Sequence, residues 1–241
     1  MDADPLVPTC RGRVTYSLVA VCPRTAQVGV AAMTATMGVG RFVSHAWPRV
    51  GAAASQAFMN PYLAIDGLTL LAEGMDAMEV CETLVADDPG RDGRQFGLVA
   101  LNGMAAAWTG PATGAWKGHR TGAGWACLGN QLAGPEVIDA AVEAFLTRPE
   151  DDLVVRLLAA LDAGEDAGGD RRGHRSATIY VVDTEEYPLW DLRVDQAEGP
   201  LPALHRLYHA YERDLLEQVR RMPTRRDPIG GFDFTALDDT V

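Results

Sequence analysis

Four stretches of the chain bring together residue types that can do chemistry. In Val14-Thr15-Tyr16-Ser17-Leu18-Val19-Ala20-Val21, Thr15 and Ser17 offer two hydroxyls on one side of an alternating, β-branched run. A hydroxyl attacks a carbonyl once a neighbouring base takes its proton. The competing use is a buried first strand whose hydroxyls only close hydrogen bonds. Ser55-Gln56-Ala57-Phe58-Met59-Asn60-Pro61 delivers two amides at a strand end, and Gly118-His119-Arg120-Thr121-Gly122 with Gly129-Asn130-Gln131 adds a histidine, an arginine and further amides. Amide N–H groups stabilise an oxyanion without changing charge, and they close turns equally well. Gly168-Gly169-Asp170-Arg171-Arg172-Gly173-His174-Arg175-Ser176 sets one carboxylate among several cations. Such a carboxylate stays ionised and can orient an amine or a hydroxyl; a salt-bridged loop has the same composition.

Several chemistries are disfavoured. There is no GxSxG elbow and no phosphate-binding GxGxxG or GxxxxGK[ST] run. His205 and His209 lie one helical turn apart, but no HExxH pattern accompanies them, and Cys10, Cys22, Cys81 and Cys127 have no zinc-ligand spacing. No metal or cofactor is expected. Against 21 basic side chains stand 33 acidic ones, a net charge of −12 that disfavours nucleic-acid binding. No apolar run approaches a membrane span and the start of the chain is not a signal peptide, so a cytoplasmic protein with no membrane partner is expected.

The elements that must position these residues follow from periodicity and turn chemistry. Strands are predicted at 15–21, 28–33, 51–58, 95–101, 104–109, 116–121, 125–128, 176–182 and 189–194. The pair 95–101 and 104–109 is joined by Asn102-Gly103, a strong hairpin signal. Helices are predicted at 62–73, 75–86, 135–146, 150–163 and 202–221 from their apolar spacing. Residues 34–50, rich in Gly and Pro, read as loop. Antiparallel hairpins alternating with helix pairs make an α+β domain, not a βαβ fold. One domain over 15–221 is expected, with residues 1–14 as a leader and 222–241 as a mobile tail.

In order along residues 14 to 195, the sequence resembles the domain-of-unknown-function family numbered 1028. The matching stretches are Thr15-Tyr16-Ser17-Leu18-Val19-Ala20, Ser55-Gln56-Ala57 with Asn60-Pro61, and Gly118-His119-Arg120-Thr121-Gly122. They continue with Gly129-Asn130, Leu132-Ala133-Gly134-Pro135-Glu136, Gly168-Gly169-Asp170-Arg171-Arg172-Gly173, Ser176-Ala177 and Asp191-Leu192-Arg193-Val194-Asp195.

That family is grouped with the N-terminal nucleophile hydrolases, so the resemblance implies a four-layer αββα sandwich of two antiparallel sheets between helical layers. It further implies an amidohydrolase in which Thr15 is the nucleophile and its own α-amine the base, an amine whose pKa near 8 suits proton transfer at neutral pH. Asn130 or Asn60 would meet the oxyanion, while Asp170, Arg171 and Ser176 would orient the Thr15 amine or the substrate. Ser17, Gln56, His119 and Arg120 join Asn60 and Arg171 as expected contacts of a small-molecule amide, anionic to judge by the arginines. Thr15 has a free amine only if the Val14–Thr15 bond is cut or translation starts at Val14. A third route is a chain that does not use N-terminal catalysis, a non-catalytic ligand-binding protein on the same fold. A homo-oligomer is expected, with Trp47, Trp116 and the final helix as its candidate contact.

Overall fold

The structure is a computed structural model that describes residues 15–169 and 173–231. Seventeen named elements carry the fold among these residues. In chain order the first are β1 Thr15–Val21, β2 Val28–Thr34, α1 Val39–Phe42, β3 Ser44–Trp47, β4 Gly51–Ala57, α2 Pro61–Ala72 and α3 Ala77–Asp87. Next come β5 Arg94–Ala100, β6 Ala105–Thr109, β7 Lys117–Gly122, β8 Trp125–Asn130, α4 Glu136–Leu146 and α5 Leu153–Asp166. The last are β9 Ser176–Val182, β10 Pro188–Val194, α6 Pro200–Asp214 and α7 Leu216–Arg220. The strands form two antiparallel sheets, one ordered β10-β9-β2-β1-β8-β7 and the other β3-β4-β5-β6.

Strand alternation assigns each side chain to a layer. Along β1, Tyr16, Leu18 and Ala20 point to one face, where they share a core with Ile138 and Phe145 of α4 and Leu157 and Leu161 of α5. Val19 and Val21 point the other way, into a second core with Ala52 and Ala54 of β4 and Val99 of β5. This core lies between the sheets. A third core sets Phe96 and Leu98 of β5 against Leu63 and Leu68 of α2 and Val80 of α3. All seven residues of β1 are buried because both of its faces are covered. Each large apolar side chain so enclosed contributes about 1.5–3 kcal/mol. The sheets approach closely at Gly97, where a Cβ would lie 2.7 Å from Leu128 Cδ1.

The expected α+β class holds, and β1 and β9 have the boundaries read from the sequence. The Asn102-Gly103 hairpin is closed by Gly103 N–H donating to Ala100 O at 2.9 Å, with Gly103 at φ 86°. Two readings are corrected. Residues 34–50 are not irregular throughout: they hold α1 and β3, each four residues long. Elements that short leave no periodic trace, and β3 exists through its pairing with β4, from Ser44 opposite Ala54 to Trp47 opposite Gly51. The single final helix is instead two, broken at Leu215, and the second turns Leu216 and Val219 into the core. Part of the expected tail is bonded to the body, since Tyr187 OH donates to Pro223 O at 3.0 Å and Arg225 pairs with Glu186 at 2.7 Å. No helix among the described residues is long and apolar enough to cross a membrane.

Candidate functional site

Register brings the sequence candidates to one end of the space between the sheets. In the six-stranded sheet Thr15 lies directly opposite Asn130 on one side and Thr34 on the other, and Thr34 lies opposite Ser176. In the facing sheet Gln56 is opposite Gln95, and Gln95 is opposite Thr109. Each row runs across its sheet at one level, so two polar rows meet at one end of an interface whose other buried side chains are mostly apolar. Gln56 and Asn130 are each followed by a residue in the left-handed region, Ala57 at φ 66° and Gln131 at φ 57°. Those residues end or follow β4 and β8, so both amides sit at the edge of their ladders.

The side chains form one buried hydrogen-bonded chain. Ser17 Oγ donates to Gln56 Oε1 at 2.7 Å, and Gln56 Nε2 donates to Gln95 Oε1 at 2.7 Å and to the Thr15 carbonyl at 3.3 Å. Asn130 Nδ2 reaches the same two acceptors, Gln95 Oε1 at 3.0 Å and Thr15 O at 3.4 Å. Gln95 Nε2 lies within hydrogen-bonding distance of Gly129 O at 2.8 Å, Gly118 O at 3.0 Å and Thr109 Oγ1 at 3.0 Å. Thr109 Oγ1 is 2.9 Å from His119 Nδ1. In the neutral imidazole Nδ1 is either the donor to Thr109 Oγ1 or its acceptor, the tautomer deciding which. Burial, and after it the Arg120 charge, hold the His119 pKa below its usual value, which favours this neutral form.

Thr15 is therefore held on two sides. Amides from both sheets grip its carbonyl, and its hydroxyl donates to Thr34 Oγ1 at 3.1 Å. Among the described residues no histidine or carboxylate reaches Thr15 Oγ1. Thr15 borders a cavity of about 30 Å³, walled by Thr34, Thr36 and Gln56 together with Met37, Val39, Phe42, Val43 and Met59. That space holds about one water.

The other expected residues have different neighbours. Ser176 stands in the polar row two strands from Thr15, but its hydroxyl donates to Thr36 O at 2.7 Å and accepts from Val39 N–H at 3.1 Å, pinning the segment that enters α1. Asn60 caps α2, its Oδ1 accepting from Tyr62 N–H at 3.2 Å, and its side chain also bonds Asp88. Arg120 points to the helical side, where it pairs with Asp139 of α4 at 3.1 Å. Asp170 and Arg171 lie outside the described residues. His174 is buried on the opposite face of β1 from Thr15, 2.5 Å from Glu165 and edge-on to Tyr16. Cys81 and Cys127 are poor nucleophiles, burial pushing both thiols up to about 12.

Sequence reasoning missed Gln95, Thr34 and Thr109. Gln95 is the hub, and a trace of it was available: in Gln95-Phe96-Gly97-Leu98-Val99 it shares strand parity with Gly97 and Val99, so a polar residue stands on a face that is otherwise inward. Nothing in the sequence says that Thr34 and Thr109 meet it, because their partners are set by pairing between distant strands.

A family described as "Family of unknown function (DUF1028)" matches residues 15–204. Among solved structures, the chain is similar to the crystal structure of protein SPO2555 from Silicibacter pomeroyi, itself described as DUF1028. The two share 32% identity at a TM-score of 0.84, over 91% of this chain and 100% of that one. Comparison with curated proteins gives no match.

Proposed function

Because the chain belongs to the DUF1028 family of unknown function, its activity has to be read from the site, and we propose that it hydrolyses an amide with Thr15 as nucleophile. The observation that carries this reading is the treatment of Thr15 itself. Its carbonyl takes two amide donors from opposite sheets, the residue borders a cavity, and no described side chain serves its hydroxyl as base. A threonine whose own α-amine is the base needs only such positioning. Two sheets face to face with helices outside them is also the layer order of the N-terminal nucleophile hydrolases, and the family match begins at Thr15. Fold likeness alone does not give function.

In this mechanism the Val14–Thr15 bond is first cut, which frees the Thr15 amine. Thr15 Oγ1 attacks the amide carbon as its proton passes to that amine. The C–N bond breaks, the proton leaves on the departing amine, and an ester of Thr15 remains. Water activated by the same amine hydrolyses the ester, releasing the acid and restoring the hydroxyl. Asn130 Nδ2 is the donor that turns to the oxyanion, since its bond to Thr15 O is long at 3.4 Å while Gln56 keeps that carbonyl in place.

Intact mass and acylation test this together. The purified protein is expected to begin at Thr15 and to take up one acyl group from a reactive amide or lactone, which Thr15→Ala abolishes. Retention of residues 1–14 in an active protein would overturn the mechanism. One observation favours a non-catalytic, ligand-binding reading: the donors of Gln56, Gln95 and Asn130 are already engaged within the protein. In that case Thr15→Ala would leave ligand affinity unchanged and no acylation would occur.

A further inference from the structure

We propose that the acyl part of the substrate is apolar and lies against a ledge made by Met37, Phe42 and Met59, an inference that rests on Thr15 being the nucleophile. Of the residues lining the cavity at Thr15, the polar Thr15, Thr34 and Gln56 are buried with Val39 and Val43 beside them, and Met37 and Phe42 stand exposed at its mouth. With about 30 Å³ inside, only the reacting carbonyl fits there. The remainder of the substrate must rest on the mouth.

Two large apolar side chains of that mouth stand in solvent, Met37 at 70% exposure and Phe42 at 52%. Single exposed apolar residues are ordinary, but apolar residues gathered at the rim of a cavity that ends on a nucleophile mark a binding surface. The ledge is also anchored. Gly38, at φ 73°, donates its N–H to Asp195 O at 2.9 Å, Val39 N–H bonds Ser176 Oγ at 3.1 Å, and Ser176 Oγ holds Thr36 O at 2.7 Å. The backbone that carries Met37 and Phe42 is thus tied to the ends of β9 and β10, while the two side chains stay uncovered.

Among the described residues, the two arginines nearest the ledge are already paired. Arg41, one residue before Phe42, pairs with Asp195 at 3.1 Å, and Arg94, stacked 5.1 Å over Phe58, pairs with Asp88 at 2.8 Å. An anionic acyl group would have to compete for a cation that has a partner, whereas an alkyl or aryl group gains by covering Met37 and Phe42.

The test uses the processed protein and two β-lactones with the same ring, one carrying a hexyl chain and the other a carboxyethyl chain. Thr15 Oγ attacks the lactone carbonyl, the ring C–O bond opens, and the hydroxyl proton ends on the released alkoxide, so intact mass rises by one whole lactone. The hexyl lactone is expected to acylate Thr15 about tenfold faster or more. Phe42→Ala and Met37→Ala, both at exposed positions and checked for folding by thermal melting, are expected to shrink that preference several-fold. Equal rates, or faster reaction of the carboxyethyl lactone, would overturn the apolar ledge and leave the nucleophile standing. Failure of both lactones to react with folded protein would remove the nucleophile, and the ledge with it.

Discussion

The Ser17 hydroxyl of β1 donates to Gln56 Oε1 of β4 at 2.7 Å, a hydrogen bond that crosses from one sheet to the other. Both residues are fully buried, Ser17 at 0% and Gln56 at 1% exposure. The bond fixes which way the Gln56 amide faces: its oxygen is taken by Ser17, so its N–H groups must point to Gln95 and to the Thr15 carbonyl. A strand residue two positions beyond Thr15 thereby governs the donor that holds Thr15.

Removing that hydroxyl tests the coupling. Ser17→Ala leaves Gln56 Oε1 buried without a donor and is expected to cost about 1–3 kcal/mol in urea unfolding. Combining it with Gln56→Met, which removes the orphaned group, is expected to cost less than the sum of the single changes by about 0.5–3 kcal/mol. Strict additivity would contradict the bond.

Gln95 is the hub, so its loss is felt at several groups. Gln95→Leu takes the shared acceptor from Gln56 Nε2 and Asn130 Nδ2 and the donor from Gly129 O. With each orphaned group costing about 1–3 kcal/mol, the expected loss is about 3 kcal/mol or more. A loss under 1 kcal/mol in denaturant titration would mean that the amides re-pair elsewhere.

Gly97 is set by close approach of the sheets. A Cβ there would lie 2.7 Å from Leu128 Cδ1 and 2.9 Å from Cδ2, and Leu128 is fully buried. Gly97→Ala is expected to cost about 1–3 kcal/mol, which calorimetry would read as a fall of about 2–4 °C in Tm per kcal/mol. Leu128→Val in the same chain should recover part of it.

Asp88 gives a pH dependence. Burial pushes its carboxyl up, but the Arg94 guanidinium at 2.8 Å, the Gly90 N–H at 2.8 Å and Asn60 outweigh burial and hold it below its usual range. A carboxylate with a lowered folded pKa contributes stability that is present above its unfolded value of about 3.9 and is lost as pH falls through the folded value. Asp88→Asn is therefore expected to destabilise the protein at pH 7, the gap to the unaltered chain narrowing below about pH 4. A gap that stays constant down to pH 2 would refute the shift.

Legibility in the sequence followed the reach of each interaction. β1 and β9 were bounded correctly because their β-branched runs are local signals, and Asn102-Gly103 needs only its own dihedrals to turn the chain. α1 and β3 were hidden because each is held by distant partners, Gly38 N–H by Asp195 O and β3 by β4. The same holds within the site. Thr15, Ser17, Gln56, Asn130 and Ser176 were named from residue type, and register brings all five to one end of the interface. Residue type could not separate Ser176, whose hydroxyl is spent on Thr36, or Asn60, which caps α2, from the residues that hold Thr15.

The α+β class, most strands and helices, and a first strand beginning at Thr15 follow from the sequence alone, because alternation, capping and turn preference act over a few residues. It takes the meeting of the two sheets to make Gln95 the acceptor shared by Gln56 of its own sheet and Asn130 of the facing one, to close both amides on the Thr15 carbonyl, and to set Met37 and Phe42 at the mouth of its cavity. Those contacts join residues that are dozens of positions apart, and they arise only when two sheets are pressed together in one register.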